Sequence, residues 1–73
     1  MDPSELGNHL KEERTRQGLS QADLASRVRV SRKTINTVEN RVFVPSAILV
    51  LRLARALHTT VEQLFFLADE GSR

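Results

Sequence analysis

Cysteine is absent from all 73 residues. That excludes disulfides and thiolate metal sites, and it suits a reducing compartment. Tryptophan and tyrosine are absent as well, and only three phenylalanines are present, so a core must be built largely from aliphatic side chains. No apolar run approaches the roughly 20 residues of a membrane-spanning helix, and the first residues lack the pattern of a secretory leader. These absences predict a soluble, cytoplasmic chain with no membrane partner. Catalytic groupings are missing too. His9 and His58 are the only imidazoles, nearly fifty residues apart, without a cluster of carboxylates or cysteines at ligand spacing. No glycine-rich phosphate loop or paired-carboxylate site is present. Neither an enzyme nor a bound metal or cofactor is expected.

What is present is enough for one small domain, residues 1–73, with no room for a second core. A core of this size supplies only about 3–5 kcal/mol unless a partner chain adds to it. The formal net charge is +2, but it is unevenly placed. From Arg14 to Arg41 there are seven basic residues (Arg14, Arg16, Arg27, Arg29, Arg32, Lys33, Arg41) against Asp23 and Glu39. The flanks before Arg14 and after Arg55 are net acidic. A basic centre with acidic flanks suits a polyanion, although a solvated charged face has the same composition.

The stretch from Ser20 to Arg41 organises the chain. Ser20 is a candidate N-cap with Asp23 three residues on, the spacing of a capping box. Leu24, Ala25 and Val28 then share one helical face. Val28-Arg29-Val30 interrupts the pattern, and Ser31 offers a second cap. Behind it Ile35, Val38 and Val42 form an apolar stripe, while Arg32, Lys33, Asn36, Thr37 and Asn40 carry hydrogen-bonding heads on the other side. Two short helices around a tight turn, the second with a polar and basic outer face, are what a DNA-reading helix-turn-helix requires.

Elsewhere, Ser4 is the expected cap of a first helix reaching about Gln17, with Leu6 and Leu10 on one face and Glu13 where the stripe should continue. Gly18 stops it, because glycine takes a left-handed conformation without steric cost. The second helix is expected to end near Arg27, and the third to span about Arg32 to Asn40. Ser46 caps a fourth helix from Ala47 to Leu57, with Val50, Leu53, Ala54 and Leu57 facing the core. Thr60 to Gln63 has the form of a capping box for a fifth helix ending near Leu67. Asp69 to Arg73 reads as a short tail. The predicted architecture is all-α: five helices in an orthogonal bundle.

The chain resembles the lambda-repressor-like helix-turn-helix regulators of bacteria, archaea and phages. The matching residues are Arg14, Gly18-Leu19-Ser20-Gln21, Leu24-Ala25 and Val30-Ser31-Arg32-Lys33-Thr34-Ile35. They continue with Val38-Glu39-Asn40, Pro45-Ser46, Leu53-Ala54, Ala56-Leu57 and Leu64-Phe65, so the similarity runs from about residue 6 to 66. It implies a dimer on operator DNA with two half-sites, the third helix lying in the major groove. It also implies phosphate contacts at Gln21 and near Asn40 and Arg41, and a structural ion pair between Arg14 and Glu39. Three departures stand out. Arg29, Arg41 and His58 occupy positions where a turn glycine is common, and each costs of the order of 1 kcal/mol if the turn stays left-handed.

Within the third helix, Arg32 and Lys33 occupy the first turn, where cations oppose the helix dipole and are awkward for a purely structural role. Arginine can pair with both acceptors of guanine, and lysine can donate to the same edge. The Thr37 methyl can meet a thymine methyl. Asn36 pairs with adenine or is simply solvated. Thr34 faces a phosphate or supports the cap, and Gln21 opens the second helix, where free amides can meet a phosphate.

Ile48, Leu51 and the run Leu64, Phe65, Phe66 and Leu67 hold more apolar surface than so small a bundle should bury. Helix five and the residues after it are therefore expected to form an isologous homodimer interface anchored by Phe66 and Leu67. The alternative is that both phenylalanines fill the core. The composite expectation is a dimeric repressor, with a restriction-modification controller or a DNA-binding antitoxin as variants. A protein-interaction module on the same fold is the rival. No small-molecule effector is expected, because no effector domain follows the last helix.

Overall fold

The computed structural model describes residues 2–68; the tail from Asp69 to Arg73 lies outside them. The architecture is mostly helical, with five helices and one small sheet. A short 3-10 turn at Pro3–Glu5 leads into strand β1 (Leu6–Asn8), then α1 (Leu10–Arg16), α2 (Gln21–Val28) and α3 (Arg32–Glu39). Helix α4 (Ala47–Ala56), the single-turn α5 (Val61–Leu64) and strand β2 (Phe65–Leu67) complete the order.

The sheet corrects the all-α expectation. β1 and β2 pair antiparallel with Leu6 opposite Leu67, Gly7 opposite Phe66 and Asn8 opposite Phe65. Leu6 therefore lies on a strand and not on a first helix. Ser4 does not cap α1; it sits in the 3-10 turn, where its amide donates to the Asp2 carboxylate at 2.9 Å. The first turn of α1 is instead served by Asn8, whose Oδ1 accepts from the Leu10 amide at 3.0 Å. The fifth helix stops at Leu64, not Leu67, because the next three residues extend to complete the ladder. Gly7 leaves room for the Phe66 ring there: a Cβ on it would stand 2.3 Å from Cε2 of Phe66, so one of the two would have to shift.

The caps of α2 to α5 lie at the residues the sequence offers, but the box expected at α5 is only half formed, because Gln63 Oε1 accepts from the Thr59 hydroxyl at 2.9 Å and not from the Thr60 amide. Ser20 and Asp23 form a full capping box, at 3.0 and 2.9 Å. Ser31, Ser46 and Thr60 accept from the amides of Thr34, Leu49 and Gln63, each at 3.1 Å. Each satisfies an amide that the first turn of a helix leaves without an intrahelical partner.

One apolar cluster runs through the helices. Leu10, Leu24, Val28, Ile35, Val38, Leu53, Leu57 and Leu64 are fully buried, joined by Ala25, Leu49, Ala54 and Phe65. Two stripe positions differ from expectation. Val42 lies past the end of α3 and is exposed, and Leu49 faces the core of α4 where Val50 was expected, with Val50 packed at its edge. Leu64 and Phe65 belong to this core, which removes them from the predicted dimer interface; Phe66 and Leu67 stay on the surface.

Candidate nucleic-acid interface

The turn between α2 and α3 sets the pose of the second helix. Arg29 ends α2 in a left-handed conformation, φ 63°, and the Val30 amide reaches back to the Ala25 carbonyl at 3.0 Å. Val30 packs against the core, and Ser31 opens α3. Ile35 and Val38 pin the inner side of α3. Arg32 and Lys33 project from its first turn, both exposed. Among the described residues neither forms an ion pair with a carboxylate.

The rest of the outer face is more self-satisfied. Asn36 and Asn40 are exposed and bonded to one another, Nδ2 of Asn40 donating to Oδ1 of Asn36 at 3.2 Å. Thr37 is half-buried, and its hydroxyl donates back to the Thr34 carbonyl at 2.8 Å. That bond commits the hydroxyl proton within the helix. Thr34 is half-buried and its hydroxyl shares a hydrogen bond of 2.9 Å with Ser31 Oγ, so it supports the cap.

Arg14 anchors α3 from behind. Its Nε donates to Oε2 of Glu39 at 2.7 Å and its Nη2 to Oε1 at 3.2 Å, a two-pronged pair. Nη1 donates to the Leu19 carbonyl at 2.9 Å. The bond to Glu39 holds the Arg14 guanidinium above its ordinary pKa, and the side chains are only 9% and 4% exposed. Leaving either charge alone in that position would cost several kcal/mol. Gln21 joins the same group: its Nε2 donates to Glu39 Oε1 at 3.0 Å. Gln21 is thus held at the start of α2 by an internal partner that uses one of the two N–H donors of Nε2.

Asn8 is a positioning residue that sequence reasoning missed. Its Nδ2 donates to the Val38 carbonyl at 3.0 Å, tying the end of α3 to β1. No local spacing announces a contact across thirty residues. Arg41 follows α3 with φ 61°; it is exposed, and its guanidinium donates to the Ser4 carbonyl. His58, after α4, is the third non-glycine residue with positive φ, at 56°. All three turns where glycine was missed keep the left-handed geometry. Among the described residues, no three His, Asp or Glu side chains gather where they could hold a metal ion.

A family model described as a helix-turn-helix domain matches residues 5–65. The chain belongs to the helix-turn-helix family. An uncharacterized HTH-type transcriptional regulator of Methanothermobacter thermautotrophicus is 42% identical over 65 residues, covering 88% of this chain and 94% of that protein. Another from Bacillus subtilis is 38% identical over 66 residues, covering 90% and 100%. These relatives make the family one of prokaryotic transcriptional regulators. Among solved structures, the restriction-modification controller protein C.AhdI from Aeromonas hydrophila superposes with a TM-score of 0.71 at 35% identity, over 74% of this chain and 82% of that one. A hypothetical transcription factor from Neisseria gives 0.72 at 24% identity, over 86% and 72%, a likeness of fold alone.

Proposed function

We propose that this helix-turn-helix protein binds double-stranded DNA sequence-specifically as a homodimeric repressor and lays α3 in the major groove. One observation carries the reading. Arg32 and Lys33 stand exposed at the leading end of a helix whose opposite side is fixed by Ile35, Val38 and the Arg14–Glu39 pair. Rigid backing is what turns two flexible cations into base readers, because each loses less freedom on binding. Asn36 and the Thr37 methyl extend the reading surface by one turn. Gln21, Asn40 and Arg41 flank it as backbone contacts, with Thr34 supporting the cap from within.

The likeness to C.AhdI favours control of a restriction-modification system as the biological setting. The polar outer face of α3 argues against a module that has exchanged DNA for a protein partner, since such a surface would be more apolar at its centre.

Selection of bound duplexes from a random pool, repeated at two salt concentrations, tests the reading. The expected product is a two-fold symmetric site with half-sites about 34–36 Å apart, one helical turn, bound more weakly as salt rises. A pool that yields no preferred sequence overturns it.

A further inference from the structure

We propose that the cavity between the C-terminal halves of α2 and α4 is a binding site for a small polyphosphate group, free or carried on a nucleotide. The cavity is open, about 380 Å³, and is lined by Arg27, Arg29, Arg52, Arg55, Ala56 and His58. That volume lies within the range of small-molecule sites, about 300–1,000 Å³. It shares no residue with the α3 reading face, so the proposal stands independently of the DNA-binding reading.

Four guanidinium groups line this one cavity, and no carboxylate does. The nearest acid along α2 is Asp23, one turn before Arg27 and committed to the Ser20 amide. Among the described residues none of the four arginines forms an ion pair. Arginine stays charged at any ordinary pH, so the cluster repels itself until an anion enters. The four charged side chains lining the cavity are all arginine, the side chain whose planar fork matches phosphate oxygens two at a time. Cations at helix C-termini do complement helix dipoles. That explains Arg27 and Arg55 along their own helices, but not why four converge from two helices and a turn.

The backbone supplies a second observation. Arg29 and His58, two of the three non-glycine residues with left-handed backbone, both line this cavity. Glycine would relieve each turn, so a side chain is kept there against a local steric cost. Such outliers gather where a side chain is needed for binding. The site also revises the expectation that no small-molecule effector acts on this chain.

Calorimetric titration of the whole chain with inorganic triphosphate at physiological ionic strength, without DNA, tests the proposal. One site per chain is expected. Arg29→Gly and Arg55→Ala should each weaken it by about tenfold or more, as loss of a charge-assisted hydrogen bond implies. Arg29→Gly should do so while raising the melting temperature, which separates loss of the site from loss of the fold. The double variant Arg32→Ala/Lys33→Ala should bind triphosphate as the unmodified chain does. A parallel titration with ATP distinguishes the sources: tighter binding than triphosphate assigns a nucleotide, and equal binding assigns the free polyanion. The proposal is overturned if no saturable binding occurs, if inorganic phosphate binds equally well, or if the Arg32/Lys33 variant loses affinity as much as the cavity variants. It is likewise overturned if Arg52→Ala and Arg55→Ala weaken random duplex DNA while leaving triphosphate binding intact, which would make the groove a track for DNA phosphates.

Discussion

Arg32 and Arg41 lie on either side of α3 and carry the same charge, yet they are expected to do different work. Arg32 begins the helix proposed to enter the groove and among the described residues has no carboxylate partner, so Arg32→Ala should weaken the preferred duplex by about 1–3 kcal/mol and relax one base position. Arg41 sits past the helix end with a left-handed backbone. Replacing it with glycine would remove the proposed phosphate contact, the solvent-exposed bond to the Ser4 carbonyl and a steric conflict. Arg41→Gly should therefore bind every duplex more weakly, lower the salt dependence by about one ion, and unfold later by about 1 kcal/mol. Binding isotherms on specific and random duplexes, beside urea denaturation, check both variants. Equal losses for Arg32→Ala on the two duplexes would refute its role, and an Arg41→Gly chain no more stable than the parent would refute the strain.

At the scale of elements, the helices were legible where caps and periodicity agreed. Ser20 with Asp23, and Ser31 before Ile35 and Val38, placed α2 and α3 within a residue of where they lie. The strands were not legible. Each spans three residues, too few to show alternation, and each is defined by a partner nearly sixty positions away. Leu6 and Leu10, four apart, imitate a helical stripe although they sit on different elements, and Val42 extends an apparent stripe beyond the end of its helix. The site divides similarly. Exposure of Arg32 and Lys33 follows from helical phase, whereas the bonds of Gln21 to Glu39 and of Asn8 to Val38 exist only in the folded chain.

Two element-scale predictions follow from local geometry. Gly7→Ala forces a Cβ into the Phe66 ring, and the overpacking should cost about 1–3 kcal/mol. Denaturant titration would show it, and an unchanged midpoint would mean that Phe66 moves aside freely. The α2 cap gives a pH dependence. The Ser20 amide, and then its hydroxyl, hold the Asp23 carboxyl below its ordinary 3.8. Because the folded value is lowered, the stabilising contribution is present above the unfolded pKa and is lost as pH falls through the folded one. Asp23→Ala should accordingly be destabilised relative to the parent at neutral pH, with the gap closing in strong acid. A gap that persists unchanged at low pH would show that the carboxylate charge is not what the cap uses.

The whole molecule leaves an apolar surplus outside its core. Ile48 and Leu51 on α4 are 64% and 62% exposed, and Phe66 and Leu67 on β2 are 40% and 54%. On the proposed dimeric reading, these exposed side chains are where a second copy would attach, and charge tells how that attachment should respond to salt. Arg52 and Arg55 border Ile48 and Leu51, so an isologous contact brings four guanidinium groups to its rim. Screening weakens that repulsion and leaves apolar burial intact. Self-association measured by sedimentation should therefore tighten as sodium chloride is raised, while binding of DNA weakens because counterions compete for its phosphates. Leu51→Glu and Leu67→Glu should each shift the chain toward monomer. A monomer at high micromolar concentration in every salt, or a dimer that neither variant disturbs, would remove this interface and require the half-sites to be read by independent copies.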